Sequence, residues 1–418
     1  MPIKVTFLTF YYEAWDALAE IYAGMAADPR FEVSLAVISR RLTGDKDFDD
    51  ASGAVAYFQA LGLQPLVNPD LRELAPDYVV VNYPWQRNYP PQYRPDVLAS
   101  FTRIVYVPYY SLPLVNEPAD AGAVASHLYT QRMHQLASVI FTQDAFVQSA
   151  YAGTSRGNAH VHHVGSSKLD SLAQRTDELL EGARGDVADG VSADARPFAI
   201  TWAPHHSYSP HWLNFGVFAQ MHIAMLAWVR DHPDVVVTLR PHPFLFGTLV
   251  DRRVLTESEL AEWRDAWHSL PNTRLDVDGD VAALFAATDL LVTDGISFLA
   301  EYPIATGKPA VFIEHQGHWH FSPIGELAAN SAVRLNSFEE FVDGFEFIRE
   351  VGLPDRSAEI EDLRLAANPY AGQVASRMIE IVAADSVSGP GGSLPVLADP
   401  ALITETAWEL QPGREPLE

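Results

Sequence analysis

The strongest constraint on the fold is the regular return of short apolar runs between amphipathic stretches. Val5–Phe10, Val33–Ile38, Tyr78–Asn82, Ile104–Val107, Val139–Thr142 and Val161–Val164 read as strands, with helical stretches such as Ala14–Ala27 and Ala123–Leu136 between them. Alternation of this kind predicts a parallel sheet covered by helices. Strands buried on both faces should be apolar without interruption, as Tyr78-Val79-Val80-Val81 is. The pattern restarts with Phe198–Trp202, Val235–Leu239, Leu290–Thr293 and Ala310–Ile313, interleaved with the helical stretches Asn214–Arg230, Glu257–Trp267 and Phe298–Thr306. Gln373–Ala384 reads as a last helix.

Between the two series, residues 176–196 carry six acidic residues and Gly182, Gly185 and Gly190, the make-up of an interdomain linker. The expected organisation is therefore a Rossmann-like acceptor domain over 1–175, an acidic linker over 176–196, a Rossmann-like nucleotide domain over 197–384, and an acidic Pro/Gly-rich tail over 385–418. The fold class is α/β, with two facing domains and ligands expected in the cleft between them. No Gly-x-Gly-x-x-Gly follows the first strand and no Walker-type glycine loop is present, so ordinary NAD and P-loop readings lose support.

Composition narrows the partners. A formal charge of −26 repels phosphate backbones and anionic lipid surfaces, which argues against nucleic acid as a ligand. With no cysteine, thiolate catalysis, iron–sulfur clusters and Cys-ligated zinc are excluded. The start of the chain runs directly into a strand pattern, and no apolar stretch is long enough to span a bilayer, so the expected location is cytoplasmic, or peripheral at the inner membrane face.

Three segments place polar residues directly after a predicted strand, the edge at which open parallel sheets bind ligands. In Ala203-Pro204-His205-His206-Ser207, two imidazoles and a hydroxyl follow the strand; imidazole binds phosphate when protonated and moves protons near neutral pH. In Arg240-Pro241-His242-Pro243, two prolines stiffen the backbone around an imidazole beside a guanidinium, a pairing suited to a diphosphate or, alternatively, a structural ion pair at Arg240. In Thr293-Asp294-Gly295-Ile296-Ser297, a strand ends, a glycine permits close approach and a helix begins; the free N–H groups of a helix start form an anion site, in which Ser297 also reads as an N-cap. Glu301, four residues on, shares a helix face with Ser297 and suits a ribose diol.

Other clusters read differently. His315, His318 and His320 follow a strand without a completing carboxylate pattern and read as a polar loop rather than a metal site. His160, His162 and His163 read as structural. Tyr11, Tyr12 and Trp15 follow the first strand and either line an acceptor surface or pack an interdomain face.

These segments, in this order, resemble the CDP-glycerol glycerophosphotransferase family, the teichoic-acid and capsule polymerase type. Gly165-Ser166-Ser167-Lys168-Leu169-Asp170, the Ala-Pro-His-His-Ser and Arg-Pro-His segments, the run from Thr293 to Glu301-Tyr302, and Thr306-Gly307-Lys308-Pro309 carry the resemblance. It implies a GT-B fold, a CDP-activated small-molecule donor, a hydroxyl acceptor that is a glycan or lipid-linked, no metal and no cofactor. Arg240 and His242 would then hold the donor diphosphate, with Ser297 and the nearby backbone on phosphate and Glu301 on ribose; Thr293, Asp294, Gly295, His205 and Ser207 would also contact the donor, and His205 and His206 would line the catalytic cleft. Family members carry a His-Gly pair after a first-domain strand, whereas this chain has Val107-Pro108-Tyr109-Tyr110-Ser111, so Tyr109 or Tyr110 takes that place and His206 becomes the candidate base. The expected reaction is attack of a hydroxyl on the β-phosphorus with release of CMP, in cell-surface polymer synthesis. The alternatives are a GT-B glycosyltransferase using a nucleotide sugar and a catalytically silent nucleotide-binding protein.

Overall fold

The computed structural model describes residues 1–41, 47–116, 129–188, 196–209 and 213–387. They form two compact units, one from Met1–Ser111, Ala119–Ser171 and Ala367 onward, the other from Leu112–Pro118 and Leu172–Ala366. Each is built on one parallel sheet.

The first unit holds β1 (Ile3–Thr9), β2 (Phe31–Val37), β3 (Leu66–Val67), β4 (Tyr78–Val81), β5 (Arg103–Tyr106), β6 (Val139–Thr142) and β7 (Val161–His163). Their order is β3-β2-β1-β4-β5-β6-β7, so the chain builds outward from β1 in one direction and then reverses to the other side. The central strands are fully buried, with Val79, Val80 and Val81 at most 1% exposed. Trp15 lies in the core beneath β1, packed edge-on against Phe58, Phe7 and Tyr22. It is 4% exposed, so its place is in the core and not on an acceptor surface.

The last described helix, Val374–Val387, also belongs to this unit. Val374, Met378 and Val382 are buried among Val5, Phe7 and Ile21, and Asp385 accepts from Tyr78 Oη at 2.5 Å and pairs with Arg103 at 3.0 Å. The expected second domain over 197–384 therefore ends earlier, at Ala366, and the chain returns to the first unit. Its amphipathic face, not its position in the chain, decides where this helix packs. Residues beyond 387, where the acidic tail was expected, lie outside the described residues.

The expected linker over 176–196 also differs. A helix runs through Ser167–Ala188, and residues 189–195 lie outside the described residues. Leu169 and Leu172 are buried and Thr176 is fully buried, giving the helix an apolar stripe that offsets its acidic outer face and the weak propensity of Gly182.

The second unit holds β8 (Phe198–Ala203), β9 (Val235–Leu239), β10 (Thr273–Leu275), β11 (Leu290–Thr293), β12 (Val311–Ile313) and β13 (Val333–Leu335), in the order β10-β9-β8-β11-β12-β13. All neighbours are parallel. The core beside β8 is aromatic: Trp202 stacks on Phe218 at 5.1 Å and meets Trp263 and Trp267. This clamps helices Phe218–Asp231 and Glu257–Ser269 to the sheet, the latter begun by a capping box of Thr256 and Glu259. The direction of chain growth reverses between β8 and β11, so the crevice at their carboxyl ends is the topological switch point, where open sheets of this kind bind ligands.

Candidate functional site

The three segments singled out in the sequence meet at that switch point. His205, His206 and Ser207 follow β8, His242 follows β9, and Asp294, Gly295 and Ser297 follow β11. One ring nitrogen from each of His205, His206 and His242 lies within 4.8 Å of the others. His206 stacks on His242 at 3.7 Å, and His205 lies 4.6 Å from His206 and 5.3 Å from His242, ring to ring.

The backbone fixes this cluster. Pro204 ends β8, and its carbonyl accepts the His242 N–H at 3.0 Å, which ties the two loops together. Asp294 is buried, and its two oxygens accept the N–H groups of His205 at 2.5 Å and Val217 at 2.6 Å. Burial outweighs these bonds and lifts its pKa to about 7. Thr293 is likewise turned inward, its hydroxyl donating to Ala203 O at 2.8 Å and accepting the Gly295 N–H at 3.0 Å. Thr293 and Asp294, expected to contact the donor, are turned inward and hold the loops that carry the imidazoles. Gly295 allows a close approach: a Cβ there would lie 3.2 Å from His205 Cβ and 3.3 Å from its Cδ2.

Protonation follows from the same contacts. Burial first, then His242, pushes His205 down to about 3, and burial takes His242 to about 4. His206 is pushed down by burial, by its two histidine neighbours and by Arg252, a cation that the sequence did not single out. All three rings are neutral at neutral pH. The Ser207 N–H points at His205 Nδ1 at 3.3 Å and the Phe244 N–H at His242 Nδ1 at 3.2 Å. A backbone N–H only donates, so both Nδ1 atoms accept and the proton of each neutral ring sits on Nε2. A trio of histidines at this spacing is able to hold a metal ion by geometry alone, but metal ligation uses a ring lone pair. With Nδ1 engaged by the backbone and Nε2 protonated, His205 and His242 present donors, the arrangement that suits an anion. Ser207 belongs to the scaffold: its hydroxyl meets His205 Nδ1 at 2.8 Å and accepts the Phe215 N–H at 2.9 Å.

Arg240 pairs with Asp276 at 2.7 Å, and Asp276 also accepts the Gly279 N–H at 2.8 Å. The ion-pair alternative for Arg240 is thus the one the structure adopts, and Asp276, after β10, is a residue that the sequence reading missed. Helix Ile296–Thr306 starts at Gly295, which as N-cap supplies no side-chain acceptor. Ser297 is exposed in the first turn and is not the cap; Glu301 is buried one turn on. The Gly-Lys-Pro segment ends this helix, with Gly307 at φ +72° and Lys308 Nζ on Thr288 O at 3.0 Å. Phe244, also unmarked in the sequence, is 55% exposed beside His206 and His242.

The other histidines stay apart. His318 bonds Glu314 at 3.0 Å and stacks on Phe215 at 4.5 Å, and the 205–206–242 cluster is the one candidate metal group among the described residues. His162 and His163 lie on β7 and His160 just before it, where burial lowers the pKa of His160 to about 3 and also that of His162.

In the first unit, Tyr11 follows β1 and Tyr109 and Tyr110 follow β5; Tyr11 and Tyr109 close a ring triangle with Tyr83, which follows β4. Tyr12 turns away from this triangle, against Tyr57 and beneath Arg40. Burial raises the pKa of Tyr109 to about 12 and that of Tyr110 well above the phenol range, so neither phenol is poised to accept a proton at neutral pH.

Two parallel Rossmann-like sheets, of seven and six strands, give the chain the GT-B fold. Its structure is similar to that of a UDP-GlcNAc 2-epimerase from Neisseria meningitidis bound to UDP-GlcNAc, with a TM-score of 0.57 at 12% identity over 92% of this chain and 100% of that one. It is similar to a UDP-GlcNAc 2-epimerase from Methanocaldococcus jannaschii in complex with UDP-GlcNAc and UDP, with a TM-score of 0.56, 12% identity and the same coverage, 92% and 100%. It is also similar to the wall teichoic acid polymerase TagF, with a TM-score of 0.50 at 14% identity over 92% of this chain and 88% of that one. No protein-family model matches the sequence, and no curated protein does. No helix among the described residues is long and apolar enough to cross a membrane.

Proposed function

We propose that the second unit binds the diphosphate of a CDP-activated donor and that the protein transfers its phospho-alditol group to a hydroxyl acceptor, releasing CMP. The observation that carries this reading is the cluster of His205, His206 and His242 at the switch point, with Nδ1 of two rings held as an acceptor by the backbone. Such a cluster offers N–H donors to phosphate oxygens. The uncapped start of helix Ile296–Thr306 adds backbone donors, and Arg252 adds positive charge. The order of the Arg-Pro-His, Thr-Asp-Gly-Ile-Ser and Gly-Lys-Pro segments supports the cytidine assignment. Arg240 acts by holding the β9 and β10 loops through Asp276, which positions His242.

In the proposed step the acceptor oxygen forms a bond to the β-phosphorus, the bond from that phosphorus to the bridging oxygen breaks, and CMP leaves with the bridging oxygen. The hydroxyl proton passes to His206. The bound phosphate favours the imidazolium that this transfer creates on His206, while the Nε2–H donors of His205 and His242 stabilise the charge that develops on the leaving group.

The test is thermal stabilisation of the full chain by CMP, CDP and CDP-glycerol against UDP, GDP and UDP- or GDP-sugars, without added metal. Selective stabilisation by cytidine nucleotides, lost in His242→Gln, is the expected result. Stabilisation by uridine or guanosine nucleotides alone would replace this reading with glycosyl transfer, and none at all would leave a scaffold.

A further inference from the structure

The triangle of tyrosines in the first unit has a defined place in its sheet. Tyr11 follows β1, Tyr83 follows β4 and Tyr109 follows β5, and β1 and β4 are the neighbours between which the strand order reverses. The rings lie 5.1 Å (Tyr11–Tyr83), 5.6 Å (Tyr11–Tyr109) and 5.3 Å (Tyr83–Tyr109) apart. All three are partly exposed, as is Trp85, which hydrogen-bonds the Tyr109 hydroxyl. Open parallel sheets bind ligands at this position, and here rings from three separate strand ends meet.

We infer that this triangle binds a neutral saccharide as the hydroxyl acceptor. The acceptor role rests on the transferase reading above; the binding of a neutral sugar does not. Three features select that chemistry. The rings offer flat faces of negative quadrupole, which attract the C–H faces of a pyranose, while their hydroxyls bond its polar rim. Burial raises the pKa of the Tyr11 and Tyr109 phenols, so these two serve as donors and binders and not as bases. Two cations near the cluster are already paired with carboxylates, Arg40 with Glu13 at 2.8 Å and Lys168 with Asp16 at 3.1 Å. Together with a chain charge of −26, this disfavours a polyanionic acceptor such as a growing poly(alditol phosphate). An acyl chain would call for an aliphatic lip, whereas these four residues are all amphipathic aromatics.

The test needs no nucleotide. Saturation-transfer NMR on the full chain would be run with cellobiose and chitobiose as neutral probes and with glycerol 3-phosphate and myo-inositol hexakisphosphate, both of which carry C–H protons, as anionic ones. Saturation of the pyranose C–H protons and none of the anions is expected, with affinity about tenfold weaker in Tyr83→Leu and in Tyr11→Leu and unchanged in Tyr57→Leu, a partly exposed tyrosine outside the triangle. Binding of the anions in place of the sugars, or of neither class, would overturn the inference. Equal loss in Tyr57→Leu would do the same. Nucleotide stabilisation, measured on the same samples, reports the second unit separately, so either reading can fail while the other stands.

Discussion

His206 and His242 stack with their ring centroids 3.7 Å apart and 22° between their planes. Two imidazoles this close cannot both be charged without strong repulsion, and burial already disfavours charging either one. The unliganded pair is therefore neutral at neutral pH, and the terminal phosphate of CDP, more highly charged than the phosphodiester of the donor, draws a proton onto it. Isothermal titration of CDP in buffers of different ionisation enthalpy should show net proton uptake on the order of one proton near pH 6.5. The uptake should fall in His206→Gln. Heat independent of the buffer would sink this account.

Stability should depend on pH in a direction set by the same rings. His205 and His242 have folded pKa values of about 3 and about 4, below the ordinary value of 6.5. Between those values and 6.5 the unfolded chain binds more protons than the folded one, so stability rises with pH and is lost as pH falls. Each such histidine contributes a slope approaching ~1.4 kcal/mol per pH unit in that window. Asp294, raised to about 7, works in the opposite direction, because its folded form holds a proton that the unfolded form releases. Urea unfolding at pH 5 and pH 6.5 should give a smaller pH dependence for His242→Gln than for the parent chain.

Asp294→Asn tests the scaffold beneath the rings. The carboxylate receives two backbone N–H groups, and an amide accepts only one of them while its own NH2 faces the other. Leaving one buried donor unpaired costs about 1–3 kcal/mol. The expected variant folds with a lower denaturation midpoint and a weakened response to nucleotide. An unchanged midpoint would show that the loops are held by other contacts.

Much of this architecture is legible in the sequence, and the exceptions have physical causes. The central strands are short, largely apolar runs broken by little more than threonine, so β1, β4, β8 and β11 declare themselves. β3, β10 and β13 do not: they are two or three residues long, and their middle or only positions are exposed, as Arg274 and Arg334 are. The His-His and Arg-Pro-His segments are visible because they directly follow such strands. The Arg240–Asp276 pair joins residues 36 apart through adjacent strand ends, a contact that no local pattern encodes. Trp15 shows the converse: its place next to polar residues suggests a surface, while its burial against Phe58 is set by the fold.

Gly295→Ala separates packing from chemistry. At φ −105° an alanine is not strained by its backbone, so any effect comes from the new methyl meeting His205 at 3.2–3.3 Å. Those contacts are tighter than almost all Cβ contacts, so His205 must give by a few tenths of an ångström. Because His205 is held by Ser207 and Asp294, the movement passes to the stacked pair. The expected result is near-parental thermal stability without ligand and a loss of nucleotide stabilisation, whereas Gly307→Ala, at φ +72° on the far end of the same helix, should lower stability without altering the nucleotide response.

The return of the chain to its first unit makes a prediction about truncation. Val374, Met378 and Val382 are each at most 1% exposed in the core beneath β1 and β4. Fully burying a side chain of this size stabilises by about 1.5–3 kcal/mol. Three of them together are comparable with the whole net stability of an ordinary domain, about 5–15 kcal/mol. A chain ended after Gln373 should lose cooperative unfolding of the first unit, together with the Asp385 contacts to Tyr78 and Arg103. The full chain should show that transition. Differential scanning calorimetry distinguishes the two, and a parental transition in the shorter chain would show that the helix is dispensable to that core.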